Sequence, residues 1–387
     1  MKIKGYKREN GKVGIRNHLL VLPTSVCAAH TAVKIADQIS EAVAIPHEHG
    51  CCQLGPDEDQ TTRTLIGLGK NPNVGSVLVV GLGCEGVEPD NVAEEISKTG
   101  KRVEKLVIQK EGGTLKTIEA GTRIARDMAN ELAKMGREDV DLDNLVLGIE
   151  CGGTDATSGI AANPAVGGAS DKLLEFGGTA MLSETTELIG AEHVLAKRAI
   201  NKDVKDRLFE IVNRTEERAL DSGVDLRGNQ PTPGNIQGGV TTIEEKSLGC
   251  IYKAGSADIQ GILEYAEEVE NKGFHVMDTP GQDIDSITGM LAGGAQIIVF
   301  TTGRGTPTGS PIAPVIKVTG NSRTYKMMED NIDINAGRII DEGVPMSEVS
   351  EEIFDYMVRV ANGEKPKAEL LGHKEFGIFR IAPTVWS

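Results

Sequence analysis

Continuous apolar runs alternate with amphipathic stretches along the first third of the chain. The runs NHLLVLPTSV, AVAIPH, SVLVVGLG and RVEKLVIQ are typical of buried strands. The segments between them have helical periodicity, and the longest is TLKTIEAGTRIARDMANELAKMG. Strands that are apolar along their whole length and alternate with helices indicate a parallel sheet with both faces covered. The pattern therefore predicts an α/β fold.

The same pattern returns in the rest of the chain. Strands are predicted in NLVLGIECGGTDA, GCIYKAG, FHVMDTPG and AQIIVFTTGRGTPTGSP, and FGIFRIAPTVWS is predicted to close the chain as a strand. Helices are predicted around residues 191–220 and 345–359. The glycine- and proline-rich segment 226–239 is either a linker or an ordered loop that reaches a site.

A charged stretch, REDVDLDN, separates these two series of elements at residues 137–144. We therefore predict two Rossmann-like α/β domains with largely parallel sheets, at residues 1–140 and 141–387. In open α/β sheets the ligand site lies outside the carboxyl ends of the strands. The active site is accordingly expected in the glycine-rich loops that follow the strands.

The composition narrows the class of protein. The chain has 387 residues, a formal net charge of −16, 47 glycines and only 3% aromatic residues. This is a common profile for parallel α/β folds. The acidic balance argues against a nucleic-acid partner, because phosphate binding needs a basic face. With no long apolar run and no basic, apolar leader, the sequence predicts a cytoplasmic protein without a membrane partner.

Three of the six cysteines lie in glycine-framed loops, at Cys51 in PHEHGCC, Cys84 in GLGCEG and Cys151 in IECGGTD. Their irregular spacing is not that of a disulfide framework, and reduced thiols favour metal binding or catalysis. Three thiolates from separate loops suit an iron–sulfur cluster with one open iron, or a mononuclear soft-metal site completed by His47 or His49. The alternative is that they are small buried side chains near turns.

The remaining cysteines and the glycine pattern lead to weaker hypotheses. Cys27, Cys52 and Cys250 are predicted to pack. The segment GLGCEGVEPDN has the GxGxxG spacing of a dinucleotide-binding turn, which keeps a nucleotide-dependent oxidoreductase as an alternative. A cysteine inside the loop is not what a pyrophosphate cradle requires.

Polar side chains follow several strands in the second half of the chain. In ECGGTDATSG and GRGTPTG they are placed to bind a substrate carboxylate or sulfonate. In SETTELIGAEH two acids lie around a helix start, where a carboxylate can act as general base or ligand. Capping and surface roles are the alternatives. The side chains concerned are Asp155, Ser158, Glu184, Glu187, Arg304 and Thr306.

Taken in order, the motifs resemble the altronate and galactarate dehydratase family. The resemblance rests on ENGKVGIRNHLLVL, HGCC, GLGCEG, ECGGTDATSGIAANPAVG, LSETTELIGAEH and TTGRGTPTGSP, and it covers nearly the whole chain. Members of the family eliminate water from sugar acids to give 2-keto-3-deoxy acids. A sister branch is similar to the large subunit of (2R)-sulfolactate sulfo-lyase, which eliminates sulfite from 3-sulfolactate. The resemblance therefore implies a lyase that acts on a small hydroxy acid by β-elimination.

The resemblance also implies a cofactor and roles for particular residues. The cofactor is a divalent metal, commonly iron, as mononuclear Fe²⁺ or an iron–sulfur cluster, with Mn²⁺ as an alternative. The implied metal residues are His47, Cys51, Cys84 and Cys151. The implied acid–base residues are Asp155, Glu184 and Glu187. The implied substrate residues are Arg16, Asn17, Ser158, Arg304 and Thr306.

Two departures from the family pattern bear on partners and substrate. Single-chain members begin with a small β-rich domain, whereas this sequence begins at GYKRENGKVGIRN, so a separate small β-rich subunit and an oligomer are expected. HEHGCC stands where sugar-acid dehydratases more often have an HGxGCG-like pattern, which leaves the ligands and the substrate open. A non-catalytic subunit that binds a sugar acid or a metal is the remaining alternative.

Overall fold

Three β-sheets organise the chain in the computed structural model, which describes residues 1–381. The strands are β1 (Lys2–Lys7), β2 (Val13–Gly14), β3 (His18–Pro23), β4 (Ala42–Ala44), β5 (Val74–Gly81), β6 (Arg102–Val107), β7 (Glu138–Asp141), β8 (Val146–Gly152), β9 (Thr179–Leu182), β10 (Ile259–Leu263), β11 (Gly273–Met277), β12 (Ile297–Thr302), β13 (Val315–Thr319) and β14 (Ile334–Asn335). The helices are α1 (Val26–Ala36), α2 (Gly55–Lys70), α3 (Pro89–Ser97), α4 (Ile108–Glu111), α5 (Thr114–Leu132), α6 (Asn163–Glu175), α7 (Glu192–Leu195), α8 (Lys202–Asp221), α9 (Leu226–Asn229), α10 (Pro233–Gln237), α11 (Ile243–Ile251), α12 (Asp283–Ala292), α13 (Ser322–Met327), α14 (Arg338–Asp341), α15 (Met346–Ala361) and α16 (Lys367–Leu371).

Helices cover both faces of a four-stranded parallel sheet in the first part of the chain. The strand order is β4-β3-β5-β6. Leu19 and Val21 of β3 pack with α1 and α5 on one face, whereas Leu20 and Leu22 pack with α2 and α3 on the other. A fully buried Leu or Val stabilises the fold by roughly 1.5–3 kcal/mol. An apolar strand such as HLLVLP is therefore held from both faces.

The second part of the chain forms a seven-stranded parallel sheet. Its order is β10-β11-β9-β8-β12-β13-β14. Ile149 and Val299 pack with α6 and α15 on one face, and Ile298 and Phe300 pack with α12 on the other. The chain leaves β8 toward β9 on one side and later returns to β12 on the other side. This reversal opens a crevice at the carboxyl ends of the strands, where α/β proteins place their sites. The predicted α/β class with largely parallel sheets is confirmed.

The two parallel sheets share an apolar cluster. Val77 of β5 and Ile298 of β12 belong to the same cluster of buried side chains. After α2 ends, the amide of Asn71 donates to the carbonyl groups of Leu291 and Ala295, both at 2.8 Å. These contacts fix α2 against α12 and hence the first half of the molecule against the second.

A small antiparallel sheet, which the apolar pattern does not predict, joins the start of the chain to residues 138–141. Its order is β2-β1-β7, and Lys4 pairs with Asp139 at 2.8 Å across the strands. Both strands are short and mostly charged, so they lack the apolar run that signals a buried strand. The predicted domain boundary between residues 140 and 141 falls inside β7 of this sheet and stays a prediction.

Two predicted strands are not strands in the structure. The segment GCIYKAG ends α11 and then forms a 3₁₀ turn, because Ile243, Ser247, Cys250 and Ile251 are buried at helical spacing. A short apolar run does not distinguish a strand from a buried helix. In FGIFRIAPTVWS, residues 376–381 form no strand, and the remainder lies outside the described residues.

The helices predicted at residues 191–220 and 345–359 are found in the structure, the first of them with a break. The helix predicted over residues 191–220 is interrupted, and α8 starts anew where the side chain of Asn201 accepts from the backbone N–H of Val204. The segment 226–239 is ordered and contains α9 and α10, so it is not an extended linker. Within residues 1–381, no helix has the length and apolar character needed to cross a membrane.

Candidate functional site

A buried polar cluster lies at the carboxyl ends of β8 and β9. Cys151 is the penultimate residue of β8, Glu184 and Glu187 follow β9, and Lys253 follows α11. The ammonium nitrogen Nζ of Lys253 is 2.7 Å from Cys151 Sγ, 2.8 Å from Glu184 Oε2 and 2.9 Å from Glu187 Oε2. The lysine is 1% exposed. We call Cys151, Glu184, Glu187 and Lys253 the lysine cluster.

Opposing charges fix the protonation states in the lysine cluster. Burial alone would lower the pKa of Lys253, but the sulfur of Cys151 and the carboxylates of Glu184 and Glu187 raise it well above its usual value. Burial likewise opposes ionisation of Glu187, yet Lys253 and Lys246 hold its pKa below the usual range. Burial raises the pKa of Cys151, whose thiol donates to Glu187 Oε2 at 2.6 Å. The cluster thus contains an ammonium, a carboxylate and a neutral thiol.

Two further acids, Glu150 and Asp283, lie beside Glu184 of the lysine cluster. Glu150, Glu184 and Asp283 place carboxyl oxygens within 4.8 Å of one another. Burial, then the charge of Glu184, raises the pKa of Glu150 well above normal. Burial and Glu187 raise that of Glu184, despite Lys253. Burial, with Glu184 and Glu187, raises the pKa of Asp283 to about 7. Carboxyl groups this close share protons, and a pKa near neutrality suits general acid–base chemistry.

The sequence motifs indicate Cys151, Glu184 and Glu187 as residues of one site, but they do not indicate the lysines. Lys246, Cys250 and Lys253 are spaced by four and three residues, which places them on one helical face. This signal was hidden because GCIYKAG is predicted as a strand. Glu150 gives no signal in the sequence because it lies inside an apolar strand, and its contacts with Ser183 and Ser286 come from other elements.

Lys246 connects the lysine cluster to a cavity. Its Nζ lies 3.3 Å from Glu187 Oε1, and its side chain is 16% exposed. It lines a cavity of about 210 Å³ between α11 and the loop ECGGTDATSG, together with Asp155 and Gly159. An anion that enters this cavity meets Lys246 before it meets the acids behind it. The geometry suits binding of a small carboxylate beside an acid–base group.

Asp155 and Ser158 shape the wall of this cavity. Asp155 Oδ1 accepts from the Thr157 hydroxyl at 2.6 Å and from the Ser158 backbone N–H at 3.1 Å. Its Oδ2 accepts from the Asn321 amide at 3.0 Å. Both carboxylate oxygens of Asp155 are therefore engaged in holding the turn. Ser158 is buried and its hydroxyl contacts the same carboxylate.

Arg304 and Thr306 lie on the neighbouring loop after β12. Arg304 is exposed, and its guanidinium donates to the carbonyl of Gly234 at 2.8 Å. The amide of Asn235 donates in turn to the carbonyl of Thr154 at 2.9 Å. The segment 226–239 thus packs over the ECGGTD loop, as expected of an ordered loop that reaches a site. Thr306 shares a hydroxyl hydrogen bond of 2.8 Å with Thr308.

Arg16 and Asn17, predicted to contact substrate, form hydrogen bonds to distant parts of the chain, and their role in substrate binding stays a prediction. Arg16 is buried and forms an ion pair with Glu369 at 2.7 Å. Its other N–H groups donate to carbonyls that include those of Val360 and Glu364. Asn17 accepts from the Arg8 guanidinium at 2.8 Å. Arg16 thus ties the N-terminal segment to residues 360–369, whereas the amide of Asn17 donates to the carbonyl of Leu132 at 3.2 Å. Neither residue is part of the lysine cluster.

A second group of reactive side chains lies at the carboxyl ends of β3, β4 and β5. Cys51 and Cys52 follow β4 with their sulfurs 3.6 Å apart, Cys84 follows β5, and Cys27 is in the first turn of α1. The prediction that Cys27 and Cys52 pack is wrong, because both are exposed. Cys250 does pack, with its sulfur 3.7 Å from that of Cys151. We call Cys27, Cys51, Cys52 and Cys84 the thiol group.

His47 lies beside the thiol group with both ring nitrogens engaged. Its Nε2 is 2.8 Å from the carbonyl of Pro23, and its Nδ1 accepts from the backbone N–H of His49 at 3.2 Å. Burial lowers the pKa of His47 to about 4, so the ring is neutral. To bind a metal, His47 would have to release one of these bonds, and its role as a ligand stays a prediction.

The glycine loop GLGCEG binds a carboxylate of its own chain. The backbone N–H groups of Leu82 and Cys84 donate to Glu85 at 2.7 and 2.8 Å. Burial opposes ionisation of Glu85, but the N–H groups of this loop, that of Gly83 first, lower its pKa. Because these amides already hold an anion, they are not a vacant pyrophosphate cradle. The loop gives no support to the nucleotide-dependent alternative.

The lysine cluster and the thiol group differ in how well their side chains could bind a metal ion. Cys151, Glu187 and Cys250 place ligand atoms within 4.8 Å of one another, but the ammonium of Lys253 already lies among them. A divalent cation would add positive charge where the ammonium of Lys253 already balances the carboxylate of Glu187. Cys51 and Cys84 offer soft donors, and soft thiolates suit iron. The predicted set is therefore divided, since Cys151 belongs to the lysine cluster.

Comparison with known proteins identifies the family. Residues 5–133 match the model for the D-galactarate dehydratase/altronate hydrolase second domain, and residues 142–384 match the D-galactarate/altronate dehydratase C-terminal model. The chain is 40% identical over 384 residues to the (2R)-sulfolactate sulfo-lyase subunit beta of Chromohalobacter salexigens, with 97% of both chains covered. It is 36% identical to the altronate dehydratase of Bacillus subtilis, covering 99% of this chain and 78% of that one. It is 35% identical to the galactarate dehydratase (L-threo-forming) of Escherichia coli, covering 98% and 77%.

These relatives are all lyases, and the similarity extends along nearly the whole chain. The buried acid–base cluster is consistent with the activity in the names of these relatives. This protein is a lyase. The chain belongs to the D-galactarate/altronate dehydratase family, as the motifs predicted.

Proposed function

We propose that this lyase takes a small 2-hydroxy acid, removes the proton next to its carboxylate and expels the substituent on the β carbon, with 3-sulfolactate as substrate. The observation that carries this proposal is the 40% identity to the sulfo-lyase subunit over 97% of both chains. The dehydratase relatives are 34–36% identical, and the alignments span 77–78% of their lengths. Loss of sulfite leaves an enol that becomes pyruvate.

Lys246 and Glu187 perform the first steps in this proposal. The carboxylate of the substrate binds Lys246 at the wall of the cavity. Glu187 lies 3.3 Å from Lys246 and is ionised, so it is the first carboxylate available to take the proton. When the substrate binds Lys246, it shares this cation, and Glu187 becomes a stronger base.

Lys253 and the acids behind it complete the acid–base chemistry. Lys253 contacts both Glu184 and Glu187 and stabilises negative charge that develops on the substrate. The carboxyls of Glu184, Glu150 and Asp283 have raised pKa values and return a proton to the leaving group or to the enol. Arg304 and Thr306, on the loop after β12, bind the distal anionic group.

The cofactor in this proposal is a divalent metal, iron or manganese, held by Cys51 and Cys84 with His47 as a further ligand. When bound, it supplies Lewis-acid polarisation of a substrate oxygen. The chain works in the cytoplasm with a separate small β-rich subunit, in an oligomer. The name of the sulfo-lyase relative, a subunit beta, supports a partner chain.

The second candidate is a sugar-acid dehydratase, which the matches to altronate and galactarate dehydratases favour. The two candidates share proton removal and differ in the leaving group, which is water or sulfite.

The test is an anaerobic assay of the iron-loaded protein, with and without a small β-rich partner subunit, on 3-sulfolactate, altronate and galactarate. Release of sulfite with pyruvate supports the proposal. Release of a keto-deoxy acid from altronate or galactarate selects the dehydratase instead. If no substrate turns over in any combination, β-elimination of these acids is overturned.

A further inference from the structure

A polar cavity of about 460 Å³ opens at the amino ends of β3 and β4, at the opposite edge of the four-stranded sheet from the thiol group. His18 at the start of β3 and Ala42 at the start of β4 line it, and residues that follow α15 close it from another side. We call it the basic cavity and define it by Arg16, His18, Arg137, Ser310, Lys365 and Lys374.

The basic cavity carries a positive charge in an acidic protein. Four lysine and arginine side chains line it, against the two acids Glu41 and Glu369. The whole chain, in contrast, has a formal net charge of −16. A concave surface with a surplus of one charge concentrates ions of the opposite sign. The local surplus therefore indicates an anionic ligand.

Two of the four cations are already engaged, and two are not. Arg16 forms its ion pair with Glu369 at 2.7 Å, and the Arg137 guanidinium donates to two backbone carbonyls. Within residues 1–381, the ammonium groups of Lys365 and Lys374 have neither a hydrogen bond nor an ion pair. Each ammonium has three N–H donors, so the two lysines offer both charge and hydrogen bonds to a ligand.

The charges of both lysines reach one wall of the basic cavity. Burial lowers the pKa of His18 to about 4, so its ring is neutral. Glu369 raises this pKa, whereas Arg16 and the two lysines lower it further. Lys365 and Lys374 therefore act on the same side chain, although they come from different parts of the C-terminal segment.

Ser310 adds a hydroxyl group without a partner to the wall. In the part of the chain that the structure describes, its buried Oγ makes no hydrogen bond. Buried polar atoms of this kind are rare in folded proteins. The backbone next to it is fixed, because the N–H of Gly309 donates to Glu375 at 2.8 Å and Glu375 lies 2.8 Å from His373 Nδ1. An oxygen of a ligand in the cavity would give Ser310 its missing partner.

We propose that the basic cavity binds a small dianion, with Lys365 and Lys374 as its charged partners and the Ser310 hydroxyl as a donor. Two unpaired ammonium groups match two negative charges, and lysine binds such groups as a point charge. Phosphate, sulfate and a short dicarboxylate share this chemistry. The proposal does not rest on the proposed function, because the basic cavity contains no residue of the lysine cluster or of the thiol group.

The test is calorimetric titration of the full-length protein with phosphate, sulfate and malonate, at an ionic strength held constant with chloride. The double variant Lys365→Gln/Lys374→Gln removes both free cations, and Ser310→Ala removes the hydroxyl. Lys197→Gln is the matched control, since Lys197 is also exposed and unpaired within residues 1–381. We expect one dianion per chain, with an affinity at least about tenfold lower in the double variant and unchanged in Lys197→Gln. Ser310→Ala is expected to weaken binding by about threefold.

Wild-type affinity in the double variant would overturn the proposal, as would failure of all three dianions to bind. Loss of binding in Lys246→Gln, with full affinity in the double variant, would place the anion beside the lysine cluster and would also overturn it. Tighter binding of phosphate and sulfate than of malonate selects an inorganic oxyanion, the reverse selects a dicarboxylate, and both support the site. Thermal unfolding gives a second measurement, because a ligand of the folded state should raise the Tm of the wild-type protein and not that of the double variant.

Discussion

Cys84 and Cys151 occupy equivalent places in their two sheets and have opposite surroundings. Each stands at the carboxyl end of a parallel strand, Cys84 after β5 and Cys151 in β8. Cys84 is exposed and its side-chain partner is the neutral amide of Gln109. Cys151 is 2% exposed and lies 2.7 Å from the ammonium of Lys253. The neighbours, and not the position in the sheet, decide whether a sulfur already has a cation.

The lysine cluster and the thiol group also differ in how much they are expected to contribute to the stability of the fold. In the lysine cluster every charge depends on a buried partner, so removal of one group leaves another unpaired. In the thiol group three of the four side chains are exposed to solvent. Variants of the two groups are therefore expected to fail in different ways.

The largest expected effect is that of Lys253→Met. This change leaves the buried acids Glu184 and Glu187 without the cation that both of them contact. We expect a loss of about 3–5 kcal/mol in the free energy of unfolding, measured by chemical denaturation, together with loss of activity. A loss under about 1 kcal/mol would contradict the view that the lysine holds the cluster together.

Glu187→Gln is expected to remove catalysis with a smaller effect on the fold. The amide keeps the shape of the side chain but cannot accept the substrate proton, so kcat should fall by about 10²–10⁴-fold. The control is Glu217→Gln on the exposed side of α8, which should leave kcat unchanged. Iron content should stay at the wild-type level, because Glu187 is not in the thiol group. Undiminished kcat in Glu187→Gln would assign proton removal to another residue.

The acids behind the lysine cluster should make stability depend on pH. Asp283 titrates at about 7 in the folded protein, compared with 3.8 for an ordinary aspartate. The folded state therefore holds this proton more tightly than the unfolded chain. The resulting stabilisation is complete below about pH 4 and is lost as the pH rises through 7.

Asp283→Asn imitates the protonated form, so it should flatten the decline in stability between about pH 4 and pH 7. Denaturation midpoints at several pH values measure this effect. An unchanged slope would show that Asp283 does not carry the shifted proton. The residual slope in the variant reports the contribution of Glu150 and Glu184.

The smallest effect on stability is expected for Cys84→Ser. This thiol is exposed, so its replacement should change the free energy of unfolding of the metal-free protein by less than about 0.5 kcal/mol. Thermal unfolding in the presence of a chelator provides the measurement. A loss comparable with that of Lys253→Met would mean that the two groups do not differ as described.

The sequence was informative where the pattern was long and regular. IIVFTT is buried along its whole length, HLLVLP is buried after its half-buried first residue, and both are central parallel strands as predicted. It failed at GCIYKAG, where a short apolar run left helix and strand indistinguishable. That one error concealed Lys253, whose place on a helical face with Lys246 was the available signal. The short charged strands β1 and β7 gave no apolar signal at all.

The sequence by itself determined the class of fold, the family and the loops in which chemistry was expected, because strand runs, glycine turns and motifs are local features. Tertiary structure decided which of the chemical groups meet. The order of strands brought Cys27 and Cys84 to the sheet edge that carries Cys51 and Cys52, and the packing of the second sheet placed Cys151 with Lys253. Tertiary structure also placed Arg16 in an ion pair with Glu369. These pairings join residues far apart along the chain, and they depend on the packing of whole elements, which no local pattern records.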